Sequence, residues 1–340
     1  SNKRFTYEEA QEVLDKGEGT MFAELSILND LSKKIRAKRV AKGAIEFDTP
    51  EVKIELDETG KPVAIRLKER KATNMLIEDF MLLANEAVAE HLGKLVTKRS
   101  GGASVYRIHD APDADRIENL SQFLRVLGYN LDTHAGRVKG VDINKLLNEV
   151  KGKPEEYLIK MATLRSMAKA IYTTKNIGHF GLAFTHYTHF TSPIRRYPDV
   201  MVHRLVKEHA GGEPVSDKEL AEMQSLLIHC SEREVAASDA ERDSIKMKQV
   251  EFMSEKIGQE FDAVISGVTE RGLYVEEKTA RADGMIRITA LGDDYFEYDE
   301  KRYSLIGRRT KKAFQLGDPI RVKLIAARIP EKELDFEPVK

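Results

Sequence analysis

Residues 175–209 read KNIGHFGLAFTHYTHFTSPIRRYPDVMVHRLVKEH, and the rest of the chain is organised around this stretch. Pro193 and Pro198 each fix their own φ and push the preceding residue out of the helical region, so they mark two bends. Arg195 and Arg196 lie between these bends, on backbone with little freedom. From Pro198 onward, apolar residues recur at helical spacing, which predicts a helix that begins beside the two arginines.

Two guanidinium groups on a stiff loop suit phosphate. Arginine is always charged, and its planar fork binds two oxygens at once. An Arg-Arg pair near the start of a helix is also commonly a solvated face or a partner for carboxylates. The spacing alone therefore leaves both interpretations of Arg195 and Arg196 open.

The composition limits what kind of protein this is. Charged residues make up 33% of the 340 residues, yet the net charge is −1, so a nucleic-acid site must be a local patch or channel. The single cysteine, Cys230, excludes an internal disulfide framework and a cysteine-based metal site, which fits a reducing cytoplasm. No apolar run approaches the roughly 18 residues that a membrane span needs, so we expect no membrane partner.

Residues 1–256 read as an α+β domain. Helical periodicity covers residues 6–39, opened by the capping-box spacing of Thr6 and Glu9, and a hairpin pattern follows within 44–68. A long apolar helix is predicted from Asn74 to Leu92, with two acids, Glu78 and Asp79, among its aliphatic residues. Acids on a mostly buried helix are costly unless they are paired, so each is either functional or part of a buried salt bridge. Further elements are predicted at 104–109 (strand), 114–127, 142–151, 154–171 and 216–257 (helices).

The histidines raise the question of zinc. His186 and His189 have the spacing of a ligand pair, but neither a cysteine nor an HExxH companion accompanies them. The aromatic and His side chains of this loop, Tyr187 and His189 among them, are instead predicted to wall a cleft or to stack bases. Asp113 and Asp115 precede a predicted helix and are interpreted as capping residues rather than metal ligands.

Residues 257–340 change to short strands separated by glycines, at Gly272, Gly284 and Gly317. Five short strands in about 80 residues predict a small closed barrel of the OB-fold kind. Tyr274 and Arg287 lie on the predicted strands and are candidates for base stacking and phosphate contact, whereas Phe261 is expected to be buried. The chain is thus predicted to be an α+β domain followed by an all-β OB-fold barrel.

Two stretches resemble a known family. GHFGLAFTHYTHFTSPIRRYPDVMVHR, at 178–204, is similar to the signature of the ribonuclease II and ribonuclease R family, whose nuclease domain is called RNB. EFDAVISGVTERGLYVE followed by DGMIRI, at 260–288, resembles an S1-type RNA-binding barrel. The resemblance implies a processive, magnesium-dependent, monomeric cytoplasmic exoribonuclease. Such an enzyme releases nucleoside 5′-monophosphates from the 3′ end of single-stranded RNA, or of structured RNA with a 3′ overhang.

The resemblance also implies residue roles. Arg195 matches the arginine expected to contact the scissile phosphate, and Arg196 matches a second basic position nearby. Tyr7 matches a tyrosine near the terminal nucleotide, and Phe47 matches an aromatic residue that clamps bases. Glu78 matches an acid that contacts the terminal sugar.

One further acid and one departure complete the resemblance. Glu241 matches an acid near the nucleotide end. The family's cluster of aspartates, roughly DP-x-x-A-x-D-x-D-D, holds magnesium, and this chain contains no such cluster. The chain is therefore predicted to be the C-terminal part of such an enzyme, with no complete metal site and inactive alone. The alternative is a non-catalytic RNA-binding module.

Overall fold

The computed structural model describes residues 1–47, 51–98, 103–153, 155–211, 215–299 and 302–339. The helices are α1 Tyr7–Lys16, α2 Phe22–Ala41, α3 Ala72–Lys98, α4 Ala114–Val126, α5 Gly140–Glu149, α6 Glu156–Ser166, α7 Tyr197–Gly211 and α8 Asp217–Ser254. The strands are β1 Val52–Leu56, β2 Pro62–Leu67, β3 Tyr106–Ile108, β4 Ile171–Thr173, β5 Glu260–Thr269, β6 Gly272–Glu277, β7 Asp283–Arg287, β8 Phe296–Asp299, β9 Ser304–Gly307, β10 Ala313–Gln315, β11 Pro319–Arg328 and β12 Glu333–Pro338. None of the described helices combines the length and apolarity needed to cross a membrane.

The start of α1 confirms the predicted capping box. The Thr6 hydroxyl accepts a hydrogen bond from the Glu9 N–H at 3.1 Å, and the Glu9 carboxylate accepts one from the Thr6 N–H at 2.7 Å. Two otherwise unpaired donors of the first turn are thereby satisfied, which is why the helix begins at this position. Gly17 then adopts a left-handed conformation, with φ 71°, and ends the helix.

The two acids of α3 have different environments. Asp79 is 1% exposed and accepts hydrogen bonds from Ser32 at 2.7 Å and from Arg36 at 2.6 Å, while Arg39 lies 3.4 Å away. Of the two alternatives that the sequence left open for Asp79, the structure supports the buried salt bridge. Arg36 and Arg39, near the C-terminal end of α2, thereby join α2 to α3.

The helix predicted at 154–171 is too long at its C-terminal end. Helix α6 ends at Ser166, Met167 is extended, and Ile171–Thr173 forms strand β4. Strand β4 pairs antiparallel with β3, with Arg107 opposite Tyr172. The β-branched residues after Ala170 favour a strand, and pairing with a segment distant in sequence overrides the local helical pattern.

Strands β5, β6, β7, β11 and β12 form a closed barrel in the order β11-β12-β7-β6-β5. All neighbours are antiparallel except β12 and β7, which run parallel. The predicted five-stranded barrel is confirmed, and Phe261, expected to be buried, is partly buried against its core. Strands β8, β9 and β10 form a separate three-stranded sheet that the sequence reading did not identify.

The barrel core includes residues that precede position 257 in the sequence. Val250 and Met253 at the end of α8, and Ile65 on β2, are buried in the same cluster as the barrel interior. The predicted domain boundary lies between α8 and β5. Because the apolar contacts cross this boundary, the barrel is held directly against α8 and the β1–β2 hairpin.

Candidate functional site

The turn before α7 is organised by one carboxylate. Asp199, in the first turn of α7, is fully buried, and its Oδ1 accepts a hydrogen bond from the Ser192 N–H at 2.7 Å. The same oxygen accepts a second hydrogen bond from Nη2 of Arg196 at 2.8 Å. The Ser192 carbonyl in turn accepts the N–H groups of Arg195 at 3.3 Å and Arg196 at 3.1 Å. A single aspartate therefore fixes both ends of the turn that carries the two arginines.

The turn separates the two arginines. Arg196 is mostly buried, with 18% of its side chain exposed, and it is paired with Asp199. Arg195 is exposed, and no side-chain partner for it exists among the described residues. Of the two interpretations left open by the sequence, Arg196 therefore fits a partner of a carboxylate. Arg195 is left free to meet an anion from outside.

Beneath the turn runs a row of aromatic and histidine rings. Tyr172 and His189 have centroids 5.5 Å apart, His189 and Tyr187 5.6 Å, Tyr187 and His179 5.3 Å, and His179 and His109 5.0 Å. The Tyr172 hydroxyl is 2.7 Å from Nδ1 of His189. The row extends from β3 and β4 to the 178–190 segment, which leads into the arginine turn.

Tyr187 belongs to this interior. It is 4% exposed, its ring stacks on Phe184, and its hydroxyl accepts a hydrogen bond from Asn85 of α3 at 3.2 Å. Asn85 also accepts the N–H of Phe190 at 2.9 Å, so it joins α3 to both ends of the 187–190 segment. Of the two roles predicted for Tyr187, the position fits a wall residue, because a ring so enclosed has no face open to a base.

Burial keeps the histidines of the row neutral. Removal from water, together with the smaller effect of the neighbouring guanidinium groups of Arg196 and Arg107, lowers the pKa of His189 to about 2. Burial likewise lowers the pKa of His179 to about 3. Uncharged rings at neutral pH suit packing and hydrogen bonding, and they do not suit proton transfer with a group that titrates near pH 7.

Arg107 was missed by the sequence reading. Its guanidinium donates to both carboxylate oxygens of Glu234 on α8, at 2.6 and 2.8 Å, and lies 4.5 Å from the centroid of the Tyr172 ring. This bidentate pair ties β3 to α8 beside the ring row. No local sequence signal could reveal it, because the two partners are 127 positions apart.

A second feature is a cleft of about 860 Å³ that contains Phe47 and Glu78. It lies between the β1–β2 hairpin, the start of α3, α6 and the barrel residue Arg281. The lining is rich in charges of both signs: Glu51, Lys68, Glu69, Arg70, Glu78, Lys153, Glu156, Lys160 and Arg281. The structure therefore places Phe47 and Glu78 in one cleft. The family resemblance had assigned a role to each of them separately.

Helix α3 connects the cleft to the arginine turn. Glu78 and Asn85 are seven residues apart, so they lie on one face of the helix about 10 Å apart along its axis. Glu78 is half-exposed beside Arg70 in the cleft, and Asn85 holds the 187–190 segment. Tyr7 is exposed at the start of α1, and its carbonyl accepts the hydroxyl hydrogen of Thr73 at 2.9 Å, which places Tyr7 near the first turn of α3.

The remaining predicted site residues lie on other elements. Glu241 is exposed midway along α8. Tyr274 is exposed on β6, and Arg287 is exposed at the end of β7. The structure thus clusters Tyr7, Phe47 and Glu78 around the start of α3, and it puts Tyr274 and Arg287 on the barrel.

The acids of the described part of the chain do not assemble a metal site. Across residues 1–47, 51–98, 103–153, 155–211, 215–299 and 302–339, no three His, Cys, Asp or Glu side chains converge as metal ligands. Asp113 accepts the N–H of Asp115 at 2.9 Å at the start of α4, which confirms its predicted capping role.

Known proteins match this chain over nearly its whole length. The family model described as the RNB domain matches residues 1–212. Ribonuclease R of Aquifex aeolicus (strain VF5) is 39% identical over 345 residues, covering 99% of this chain and 48% of that protein. The chain spans about half the length of the curated relatives it matches.

Solved structures also match nearly the whole chain. The structure of Mycoplasma genitalium RNase R in complex with ribose methylated single-stranded RNA superposes with a TM-score of 0.90 and 28% identity. That match covers 99% of this chain and 53% of the solved chain. The same protein in complex with double-stranded RNA gives a TM-score of 0.80 and 25% identity, covering 99% of this chain and 55% of the solved chain.

Proposed function

This chain belongs to the RNB family, and we propose that it is the C-terminal part of a hydrolytic exoribonuclease that degrades RNA from its 3′ end. Support comes from its likeness to ribonuclease R proteins over 99% of its length. The proposed substrate is single-stranded RNA, or structured RNA with a 3′ overhang, and the proposed products are nucleoside 5′-monophosphates. We propose that the protein acts as a monomer in the cytoplasm.

The single observation that carries this proposal is that Arg195 is exposed whereas Arg196 is paired with a buried carboxylate. Arg195 is exposed on a turn that Asp199 and Arg196 hold rigid. A fixed guanidinium without an internal partner is suited to stabilise the negative charge that develops on a phosphate during hydrolysis. We assign that role to Arg195, and we assign Arg196, first considered a second phosphate ligand, to positioning the turn.

The proposed path of the RNA end follows α3. Phe47 would stack on bases in the cleft, Glu78 would accept a hydrogen bond from the terminal sugar, and Tyr7 would lie close to the last nucleotide. His189 would support the wall of the site as a neutral ring, as would Tyr187. Glu241 on α8 would face the nucleotide end from the other side.

The barrel is proposed to be an S1-type OB-fold, forming a separate domain over residues 257–340. Its closed five-stranded form and the exposure of Tyr274 and Arg287 support a role in holding RNA. Aromatic rings that stack bases, together with cations that follow the backbone, are the usual means of binding single strands.

The family resemblance implies magnesium, and the described residues do not fit a complete magnesium site. Magnesium requires several oxygen ligands in octahedral geometry, whereas Glu78 is paired with Arg70 and Asp79 is buried against Arg36. We propose that the aspartates that bind the metal lie in the part of the relatives' length that this chain does not cover. On this proposal the chain alone hydrolyses little or no RNA.

A second candidate function is a non-catalytic RNA-binding module. It is favoured by the lack of a converging ligand set among the described residues. The two candidates share the same RNA path and differ in whether the full-length protein contains a metal-dependent hydrolytic centre.

The test compares this chain with the full-length protein on 5′-labelled single-stranded RNA, with and without magnesium, resolving products by length. We expect magnesium-dependent loss of substrate to very short products for the full-length protein, and retention of intact RNA at low salt for this chain. Intact RNA with both proteins would support the binding module. Hydrolysis by this chain alone would show that a metal site forms from its own acids.

A further inference from the structure

The loop between β9 and β10 is the most cationic turn of the barrel region. Residues 308–312 read Arg-Arg-Thr-Lys-Lys, and all five are exposed. The hairpin is closed by hydrogen bonds from the Gly307 N–H to the Lys312 carbonyl at 2.9 Å and from the Lys311 N–H to the Gly307 carbonyl at 3.1 Å. This hairpin tip, residues 308–312, belongs to neither the cleft nor the arginine turn.

The hairpin tip is held in one conformation by Asp294. Its carboxylate accepts the N–H of Arg309 at 3.1 Å, the N–H of Thr310 at 2.7 Å and the Thr310 hydroxyl. Gly307 permits this approach, because a Cβ at that position would lie 2.5 Å from Oδ2 of Asp294. A loop fixed in this way presents its side chains without the entropic cost of ordering a flexible segment on binding.

The cations of the hairpin tip are largely uncompensated. Arg308 donates through Nε to Glu297 at 2.6 Å, but Arg309 and Lys311 make no ion pair with an acid among the described residues. Arg309 instead donates to the Asp293 carbonyl at 2.7 Å, which fixes the side chain without neutralising it. Lys311 has φ 57°, a conformation that favours glycine or asparagine, so a lysine stands where the backbone prefers other residues.

An exposed aromatic ring adjoins these cations. Tyr295 is 67% exposed, and the guanidinium of Arg308 lies 4.8 Å from its ring centroid. An accessible ring beside fixed cations is the combination that binds a base and its phosphates, and a merely solubilising surface needs neither the ring nor the rigidity. The chain as a whole carries a net charge of −1, so these cations form a local patch and not part of a general basic surface.

We propose that the hairpin tip is a second RNA contact, which binds the phosphate backbone of the substrate outside the cleft. The inference rests on the proposed RNA binding and extends it to a surface that neither the cleft nor the barrel strands include. The backbone contacted would belong either to a single strand or to a duplex segment upstream of the 3′ end.

The test measures RNA affinity against salt concentration, in EDTA, for this chain and for the double variant Arg309→Gln/Lys311→Gln. Two RNAs distinguish contact with a single strand from contact with a duplex: a 20-nucleotide single strand and a stem-loop with a 3′ overhang. Removing two phosphate contacts should flatten the slope of log affinity against log salt by about 1.4 for the single strand, or by about 1.8 where the contacts are to duplex. Neither substitution touches Asp294 or Thr310, so the hairpin should keep its shape.

A matched control removes two charges elsewhere, as Lys207→Gln/Lys218→Gln. Lys207 lies on α7 and Lys218 at the start of α8, whereas the barrel packs against Val250 and Met253 at the other end of α8, about 50 Å away from Lys218. The control should keep the parental slope, and the charge-preserving variant Arg309→Lys/Lys311→Arg should bind as the parent does.

A flatter slope confined to the hairpin-tip variant, with either RNA, supports the inference and identifies the source. An unchanged slope with both RNAs, while the parent binds, overturns the inference and leaves the proposed function intact. Equal flattening in the control overturns it as well. A parent chain that binds neither RNA overturns both proposals, so the two failures are distinguishable.

Discussion

Two turns of this molecule carry adjacent arginines, and each is held by one aspartate. Asp199 holds the turn of Arg195 and Arg196 from within, fully buried, through Ser192 and Arg196. Asp294 holds the turn of Arg308 and Arg309 at the surface, through backbone N–H groups and the hydroxyl of Thr310. The geometry is similar, but only Asp199 binds the guanidinium of one of the arginines.

The difference shows what each turn requires from the rest of the fold. The surface turn is held by groups of its own small sheet: a glycine, a threonine and an aspartate 15 and 16 positions before the N–H groups it binds. The interior turn is closed by Asp199 from within seven residues, and the 187–190 segment that leads into it is held by Asn85 on α3. A buried carboxylate and a mostly buried guanidinium need each other, because either one left alone would be an uncompensated charge in the interior.

The largest expected effect is on stability. Asp199→Ala should reduce the free energy of unfolding by about 3 kcal/mol or more, because it leaves Arg196 without its buried partner. The matched variant Asp294→Ala removes hydrogen bonds that water can replace, and its loss should be small by comparison. Urea unfolding followed by circular dichroism measures both.

Asp199→Asn refines this comparison, since it keeps an acceptor for the Ser192 N–H but removes the charge. It should be less harmful than the alanine variant. Equal losses for Asp199→Ala and Asp294→Ala would break the comparison, because they would mean that burial of the pair does not matter.

A third carboxylate, that of Glu276, extends the comparison of buried and exposed carboxylates. Its protonation makes the stability of the protein depend on pH. Glu276 on β6 is mostly buried, and burial raises its pKa from 4.5 to about 7 although Arg281 lies 2.8 Å away. Asp283, whose pKa burial also raises, and the hydroxyl of Tyr157 are close to it. Here one cation does not offset the loss of hydration.

The sign follows from proton binding. Between about pH 4.5 and 7 the folded state holds a proton on Glu276 that the unfolded state has lost, so stability from this group falls as the pH rises through 7. Glu276→Gln should abolish that fall and stabilise the protein relative to the parent by about 3 kcal/mol at pH 8, with little difference at pH 4.5. Parallel stability curves for the two proteins from pH 4.5 to 8 would contradict this account.

The sequence predicted local structure well where the cause is local. The capping box of Thr6 and Glu9, the β1–β2 hairpin, the Asp113 cap and the individual strands of the barrel all follow from patterns within a few residues. The helix predicted at 154–171 includes residues that form strand β4, because β4 forms only through its pairing with β3. The β8–β10 sheet was missed because its strands are only three or four residues long.

The residue types of the candidate site could be predicted from the sequence. Which of these residues are buried, and which partners they bind, could not. The pattern SPIRRYPD indicated two arginines for phosphate and contains Asp199, but it does not show that Asp199 is buried and pairs with Arg196. Tyr187 was expected near bases, but its position inside the ring row depends on Asn85 and Phe184. Arg107 gave no signal at all, because its partner Glu234 is distant in sequence.

The central claim is that Arg195 is the guanidinium presented to the RNA phosphate, and single-turnover hydrolysis by the full-length protein tests it most directly. Arg195→Ala should reduce the rate by about 100-fold or more, with RNA affinity nearly unchanged, because its contact strengthens as charge develops. Arg195→Lys should recover part of the rate, since it keeps the charge and loses the fork. Equal losses of rate and affinity, or an unchanged rate, would contradict the claim.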